Sequence, residues 1–220
     1  DHFFDTAGQN IFIGGRGEDS VVFGFDRDLH KTSIGHIEYA LTNDWVNADN
    51  VRAGIDNDAV IYEVRMYDNS DSLIGTNYLI DIEGVVGTDG NDEYNGYDSS
   101  LNTLHRIYNP DEVHLNALGR ADENYEAFAP GLGDDVIAGG SGYTELNYAF
   151  GSDSSRSVNV NLVDGIATIS ESGNTYTDTF ISVEGVEGSN GDDFIYGNAF
   201  ANSLDGRKGN DLIDGGDGFD

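Results

Sequence analysis

The chain has 220 residues, no cysteine, 30 glycines and a formal net charge of −31. The absence of cysteine excludes a disulfide framework and any metal site built from thiolates. Lys and Arg number ten and form no basic patch, which argues against nucleic acid and anionic membranes as partners, and no apolar run is long enough for a transmembrane segment. Such acidity is typical of disordered chains, but aromatic and β-branched residues are frequent here, so the sequence predicts a folded polyanion.

Residues 1–25 predict a first repetitive block of a β-roll. Acidic or amide residues recur every nine positions, at Asp1, Asn10 and Asp19. The glycine-rich segment before Asp19 includes Gly14 and Arg16, and glycine permits the positive φ angles of a tight turn. One metal ion could bridge Asp1 and Asp19, and a β-hairpin with a Gly-Gly turn is the alternative for this block.

Residues 26–82 lose the period and predict a β-rich hairpin insert. Segments 59–67 and 73–82 have strand composition and flank a polar turn. We expect a small antiparallel sheet packed on the end of a roll, with Trp45 in its core.

Residues 83–96 return to the repeat, with Gly87 and Asp92 in its turn, and they recur as residues 184–197 at an offset of 101. This similarity predicts an internal duplication. The following insert, residues 97–120, has no glycine period and carries His105, Arg106, Tyr108 and His114. It is either a tolerated surface loop or a ligand-binding loop.

Residues 121–156 form another predicted roll block. Its sixth places hold Glu126, Asp135 and Thr144, and Gly131 and Gly133 precede Asp135. Thr144 lacks a carboxylate and would stack on Glu126, so that edge should bind a cation weakly or not at all. Asp135 could pair with Asp153, eighteen residues on. Residues 157–183 then predict a β-hairpin lead-in with an Asp-Gly turn.

Residues 184–220 carry the strongest repeat, a nonapeptide G-G-x-G-x-D-x-U-x. Its sixth places are Asp193, Asn202, Asp211 and Asp220. Two nonapeptides make one coil, so Asp193 should stack on Asp211, and Asn202 on Asp220, at roughly 4.8 Å. Stacked carboxylates need a cation, and turn carbonyls with carboxylates favour Ca²⁺. The other candidate ligands in these turns are Gly188, Asn190, Gly206, Arg207, Gly209, Gly215 and Asp217.

These repeats resemble the RTX (repeats-in-toxin) family of secreted bacterial proteins. The resemblance implies an all-β fold, in which parallel β-roll blocks are interrupted by β-hairpin inserts and bind several calcium ions. It also implies export through a type I channel, with the chain unfolded at low cytosolic calcium, and a secreted or cell-surface location.

No zinc-protease, nucleophile-elbow, P-loop or EF-hand motif occurs in the sequence, so we predict no enzyme activity. The favoured function is a calcium-binding structural module of a large adhesin or surface-layer protein, of which this chain would be an internal fragment. The alternatives are the calcium-dependent secretion module of a hydrolase, lyase or toxin, and a module that binds a cell-surface glycan or extracellular polymer through an insert.

Overall fold

The computed structural model describes residues 2–4, 9–13, 19–23, 34–41, 61–80, 82, 84–95, 125–139 and 142–220. These residues form eighteen β-strands and no helix, and therefore no helix that could cross a membrane. The strands make two sheets. Sheet A contains seven of them, which are β1 (His2–Phe4), β3 (Ser20–Val22), β7 (Gly84–Val86), β9 (Tyr125–Ala129), β11 (Tyr143–Asn147), β15 (Gly185–Glu187) and β17 (Ser203–Asp205).

Sheet B contains the other eleven strands and lies opposite sheet A across the core. They are β2 (Ile11–Ile13), β4 (His36–Leu41), β5 (Ile61–Tyr67), β6 (Leu73–Ile80), β8 (Glu93–Asn95), β10 (Val136–Ala138), β12 (Ser157–Asn161), β13 (Ile166–Glu171), β14 (Asn174–Ile181), β16 (Phe194–Tyr196) and β18 (Leu212–Asp214). All neighbours in sheet A are parallel. Since the chain passes from one sheet to the other and back, the two sheets form a parallel β-roll, as predicted.

The uninterrupted coils contain eighteen residues. His2 lies opposite Ser20 in sheet A, and Phe194 lies opposite Leu212 in sheet B. This register confirms that each nonapeptide supplies one turn and one short strand. It also places equivalent side chains of successive coils one strand spacing apart, roughly 4.8 Å.

Two antiparallel meanders lie within sheet B. The first is β4–β5–β6, and the second is β12–β13–β14. The outer strands of each meander pair in parallel with strands of the roll, so the meander replaces one coil on that side. The sequence suggested that the first meander packs on the end of a roll. The structure shows instead that it lies within sheet B, because both of its outer strands pair with strands of the roll. Trp45 lies outside the described residues.

The core is a row of apolar side chains from the middle positions of the short strands. In sheet A the row passes through Val21, Val85, Phe128, Leu146 and Val186, each at most 1% exposed. Each three-residue strand contributes one such side chain, worth about 1.5–3 kcal/mol when buried. Ordering the backbone costs about 1–2 kcal/mol for each residue. Apolar burial is therefore a modest contribution to the stability of a coil.

Glycine allows successive turns to approach closely. Gly133 has a φ of +120°, and a Cβ at this position would clash with the carbonyl oxygen of Gly90 in the neighbouring turn. Gly151 also has a positive φ, +66°, but a Cβ there would have no neighbour within 4 Å. Comparing substitutions at the two positions therefore distinguishes the cost of a strained φ from the cost of a steric clash between turns.

We expect Gly133→Ala to destabilise the folded protein much more than Gly151→Ala. The Gly151 variant bears only the left-handed backbone penalty of about 1–2 kcal/mol, whereas the Gly133 variant must also push two turns apart. Urea unfolding in saturating calcium measures the difference. Equal unfolding free energies would mean that the turns are not in close contact.

Candidate metal centre

The sixth residue of each nonapeptide links neighbouring coils through its side chain. The backbone N–H of Asp193 donates to Oδ1 of Asp211 at 3.0 Å, and the N–H of Asn202 donates to Oδ1 of Asp220 at 2.9 Å. Both pairs are 18 residues apart. The predicted stacking of these four residues is confirmed.

A longer stack, which we call the aspartate ladder, joins Asp92, Asp135 and Asp178. The N–H of Asp92 donates to Oδ1 of Asp135 at 2.7 Å, and the N–H of Asp135 donates to Oδ1 of Asp178 at 3.1 Å. Neither step was predicted from the sequence, because each spans 43 residues and not one coil of eighteen.

Asp178, and not Asp153, lies beside Asp135. The predicted Asp135–Asp153 pair is wrong because β10 pairs with β14, the last strand of the second meander, whereas Asp153 lies in the turn between β11 and β12. Asp153 is exposed, and its Oδ1 accepts the N–H of Ser155 at 2.7 Å. The Ser155 hydroxyl, and after it this N–H, lower the pKa of Asp153 by hydrogen bonding to its carboxylate.

The duplicated segments build the same side-chain cap around Asp92 and Asp193. In the second copy, Ser189 donates its N–H to Oδ2 of Asp193 at 2.6 Å and its hydroxyl to Oδ1 at 2.7 Å. In the first copy, Thr88 makes the corresponding contacts with Asp92 at 2.7 and 3.0 Å. Both carboxylates therefore have fixed orientations.

The fifth place of the repeat links coils in the opposite direction. The N–H of Asn210 donates to Oδ1 of Asp192 in the preceding coil at 2.8 Å. Likewise, the N–H of Thr177 donates to Oδ1 of Asp134 at 2.7 Å. In these turns from sheet A to sheet B, adjacent residues such as Asp192 and Asp193 thus tie the turn to both neighbouring turns.

The aspartate ladder is an electrostatically unfavourable arrangement, since each of its members is at most 2% exposed. Burial raises the pKa of Asp92 to about 7, although hydrogen bonds to its carboxylate oppose the shift. Burial also raises the pKa of Asp178 to about 7. For Asp135, burial and then the charges of its two neighbours raise the pKa, and its Oδ2 has no hydrogen-bond partner among the described residues. The ladder therefore favours protons or a bound cation.

Glycines bring backbone carbonyls and carboxylates together in the C-terminal turns. A Cβ on Gly188 would clash with Oδ2 of Asp193, and a Cβ on Gly209 would clash with the carbonyl oxygen of Gly191. The space left by the missing side chains is lined by oxygen atoms, a donor set that fits Ca²⁺. Within the described ranges, no group of three or more His, Cys, Asp or Glu side chains could hold a metal. Carbonyls would therefore have to supply many of the ligands.

The opposite edge of the roll has a mixed row of polar residues. Thr144 lies opposite Glu126, as predicted, and its N–H donates to Oε2 of Glu184 at 3.0 Å. Glu184 lies 40 residues after Thr144 and was missed from the sequence. The Thr144 hydroxyl is buried without a hydrogen-bond partner among the described residues.

The predicted ligands fall on two edges of the roll. Those in turns from sheet A to sheet B are Gly87, Asp92, Gly131, Gly133, Asp135, Gly188, Asn190, Asp193, Gly206, Arg207, Gly209 and Asp211. Asp19 and Asn202 lie in turns from sheet B to sheet A, and Gly215, Asp217 and Asp220 follow β18 of sheet B. Asp1, Gly14, Arg16 and the insert 97–120 lie outside the described residues.

Two of the predicted ligands use their side chains elsewhere. The amide of Asn190 donates to the Ser152 carbonyl at 2.9 Å, and the guanidinium of Arg207 pairs with Glu187. Arg207 can therefore offer only its backbone carbonyl to a metal, whereas Asn190 keeps Oδ1 and its backbone carbonyl as candidate ligands.

Comparison with known families identifies the repeats. Residues 1–29 and 187–220 match the family model of the RTX calcium-binding nonapeptide repeat, in four copies. No curated protein sequence matches the chain. The matched repeats bind calcium and form a non-catalytic module. The chain therefore carries RTX calcium-binding repeats within a parallel β-roll, which confirms the family predicted from its sequence.

Proposed function

We propose that the chain is a calcium-folded structural module of a large secreted or cell-surface bacterial protein, such as an adhesin or a surface-layer protein. The observation that carries the proposal is the burial of stacked carboxylates between coils, most clearly in the aspartate ladder. Leaving a buried charge uncompensated costs several kcal/mol. Calcium bound between the turns offsets this cost, so its binding energy becomes folding energy.

The turns around Asp193 and Asp211 are the best candidates for occupied calcium sites. They combine stacked carboxylates with glycines that leave carbonyl oxygens accessible. Asp92 and Asp135 supply a second candidate group, to which the structure adds Asp178 as a neighbour. The row with Thr144 is a weaker candidate because a hydroxyl replaces a carboxylate there.

Calcium-dependent folding is also compatible with secretion. At low calcium, a chain with a net charge of −31 repels itself and stays expanded, which suits passage through a type I channel. At the higher calcium concentration outside the cell, the turns bind the ion and the roll forms. We propose a cell-surface glycan or extracellular polymer as the partner of the whole protein.

Removing calcium should unfold most of the roll. Circular dichroism in EDTA should show little β signal, and millimolar Ca²⁺ should restore it, because metal binding supplies folding energy. Mg²⁺ at the same concentration is the control and should restore much less. An equal β signal in EDTA and in calcium would contradict the proposal.

Asp211→Asn should weaken calcium-dependent folding more than Asp153→Asn. Asp211 stacks on Asp193, whereas Asp153 is an exposed turn residue. We expect the Asp211 variant to lose about 1–3 kcal/mol of unfolding free energy in calcium, and the Asp153 variant to change by less than about 0.5 kcal/mol. Calcium titrations followed by urea unfolding measure both values, and the reverse order would show that the assigned register of calcium sites is wrong.

Without calcium, the stability of the aspartate ladder should fall as pH rises. The folded-state pKa values of Asp92 and Asp178, about 7, lie above the ordinary value of 3.8. Their contribution to stability is therefore complete below the ordinary pKa and is lost as pH rises through about 7. In EDTA, the β signal in circular dichroism should be smaller at pH 8 than at pH 5.5.

The double variant Asp92→Asn/Asp178→Asn is the matched test of this pH dependence. Asn resembles the protonated carboxyl, so the variant should be more stable than the natural protein in EDTA at pH 8 and should respond less to calcium. A pH dependence identical to that of the natural protein would assign the effect to other carboxylates.

A further inference from the structure

The turn between β11 and β12, residues 148–156, differs from the repeat turns. It has nine residues, whereas the turn between β15 and β16 has six. It stacks on that six-residue turn, since Oγ of Ser189 lies 2.8 Å from the Arg156 carbonyl oxygen and 2.7 Å from Oδ1 of Asp193, and the two acceptors share its one proton. Its own acid, Asp153, is exposed, and its Oδ1 accepts the N–H of Ser155 within the same turn. The turn therefore occupies a position in the calcium-binding edge without the residues of the repeat.

A buried arginine lies in this turn. Arg156 is 4% exposed, and its Nε donates to Oε1 of Glu171 at 3.0 Å. Its Nη1 donates to the carbonyl oxygen of Phe150 at 3.1 Å and is 3.4 Å from that of Tyr148. One positive charge thus contacts two turn carbonyls and one carboxylate, which are the groups that a calcium ion would use.

Two further carbonyls of this turn also receive protein donors. The Asn190 amide donates to the Ser152 carbonyl at 2.9 Å, and Ser152 donates its hydroxyl to the Ala149 carbonyl at 2.9 Å. In the neighbouring repeat turn 188–193, no donor among the described residues pairs with the carbonyl of Gly191. Several carbonyls of turn 148–156, including those of Ala149, Phe150 and Ser152, therefore already accept protein donors.

We propose that Arg156 takes the place of a calcium ion in turn 148–156, so that this step of the roll forms without metal and separates the calcium sites on its two sides. A guanidinium stays charged at any pH at which the protein folds, and its planar fork can reach several oxygens at once. The proposal takes from the proposed function only that the flanking repeat turns bind calcium.

Hydrogen exchange of the full chain, read by mass spectrometry during stepwise calcium removal with EGTA, tests this proposal. Amides of β12 should keep their protection to at least several-fold lower free calcium than amides of β18. In Arg156→Gln, this difference should disappear, because the neutral amide leaves the carbonyls and Glu171 without a cation. Arg156→Lys should retain part of it.

Arg65→Gln is the matched control, since Arg65 is an exposed arginine that pairs with Glu63 on β5. It should leave the order of calcium release unchanged. If Arg156→Gln does not fold, Glu171→Gln tests the same contact from the other side and should also reduce the difference.

Three outcomes are distinguishable. Loss of protection in β12 and β18 at the same calcium concentration in the natural protein would overturn the role of Arg156, while calcium-dependent folding would stand. An unchanged order of release in both Arg156→Gln and Glu171→Gln would also overturn it. Protection that never depends on calcium in any strand would instead overturn the proposed function.

Discussion

The structure depends on the stacking of acidic side chains between coils of a β-roll. Strand spacing sets these groups roughly 4.8 Å apart, and two charges at about 4 Å repel by about 1 kcal/mol in water and about 4 kcal/mol at an effective dielectric constant of 20. The same spacing is unavoidable once the short strands pair in register. The folding of a roll with acidic residues at the sixth place therefore depends on what neutralises those residues.

Hydrogen bonds orient these carboxylates but do not remove their charge. Asp193 accepts N–H groups from Ser189 and Val158, and Asp92 accepts those of Thr88 and Ile37. Burial still raises the pKa of both residues, so the donors compensate only part of the desolvation. The protein supplies the geometry, and a cation or a proton supplies the remaining stabilisation. This division explains why one architecture can be rigid in calcium and unstable without it.

The nine-residue period was sufficient to predict the fold and the contacts between uninterrupted coils. Asp193 and Asp211 are adjacent in the structure because one eighteen-residue coil separates them. Contacts across an insert could not be read from the period, because a meander returns the chain to the roll after a different number of residues. Asp178 reaches Asp135 after 43 residues, and Asn77 reaches Asn10 after 67. The prediction of Asp153 as a partner failed for the same reason: it extended the period through a turn where the chain had already left it.

The inserts are compatible with the roll because pairing depends on the register at which a strand arrives and not on the distance travelled along the chain. β14 enters the ladder with an aspartate at the required position, after two antiparallel strands that follow no nonapeptide pattern. The turn that leads into this meander holds a buried arginine, Arg156, two residues before Val158, whose N–H donates to Oδ1 of Asp193. Positive charge can thus come from the chain where the repeat is interrupted and from calcium where it is intact. Interruptions of the repeat consequently need not be weak points of the roll, provided that each one brings its own charge compensation.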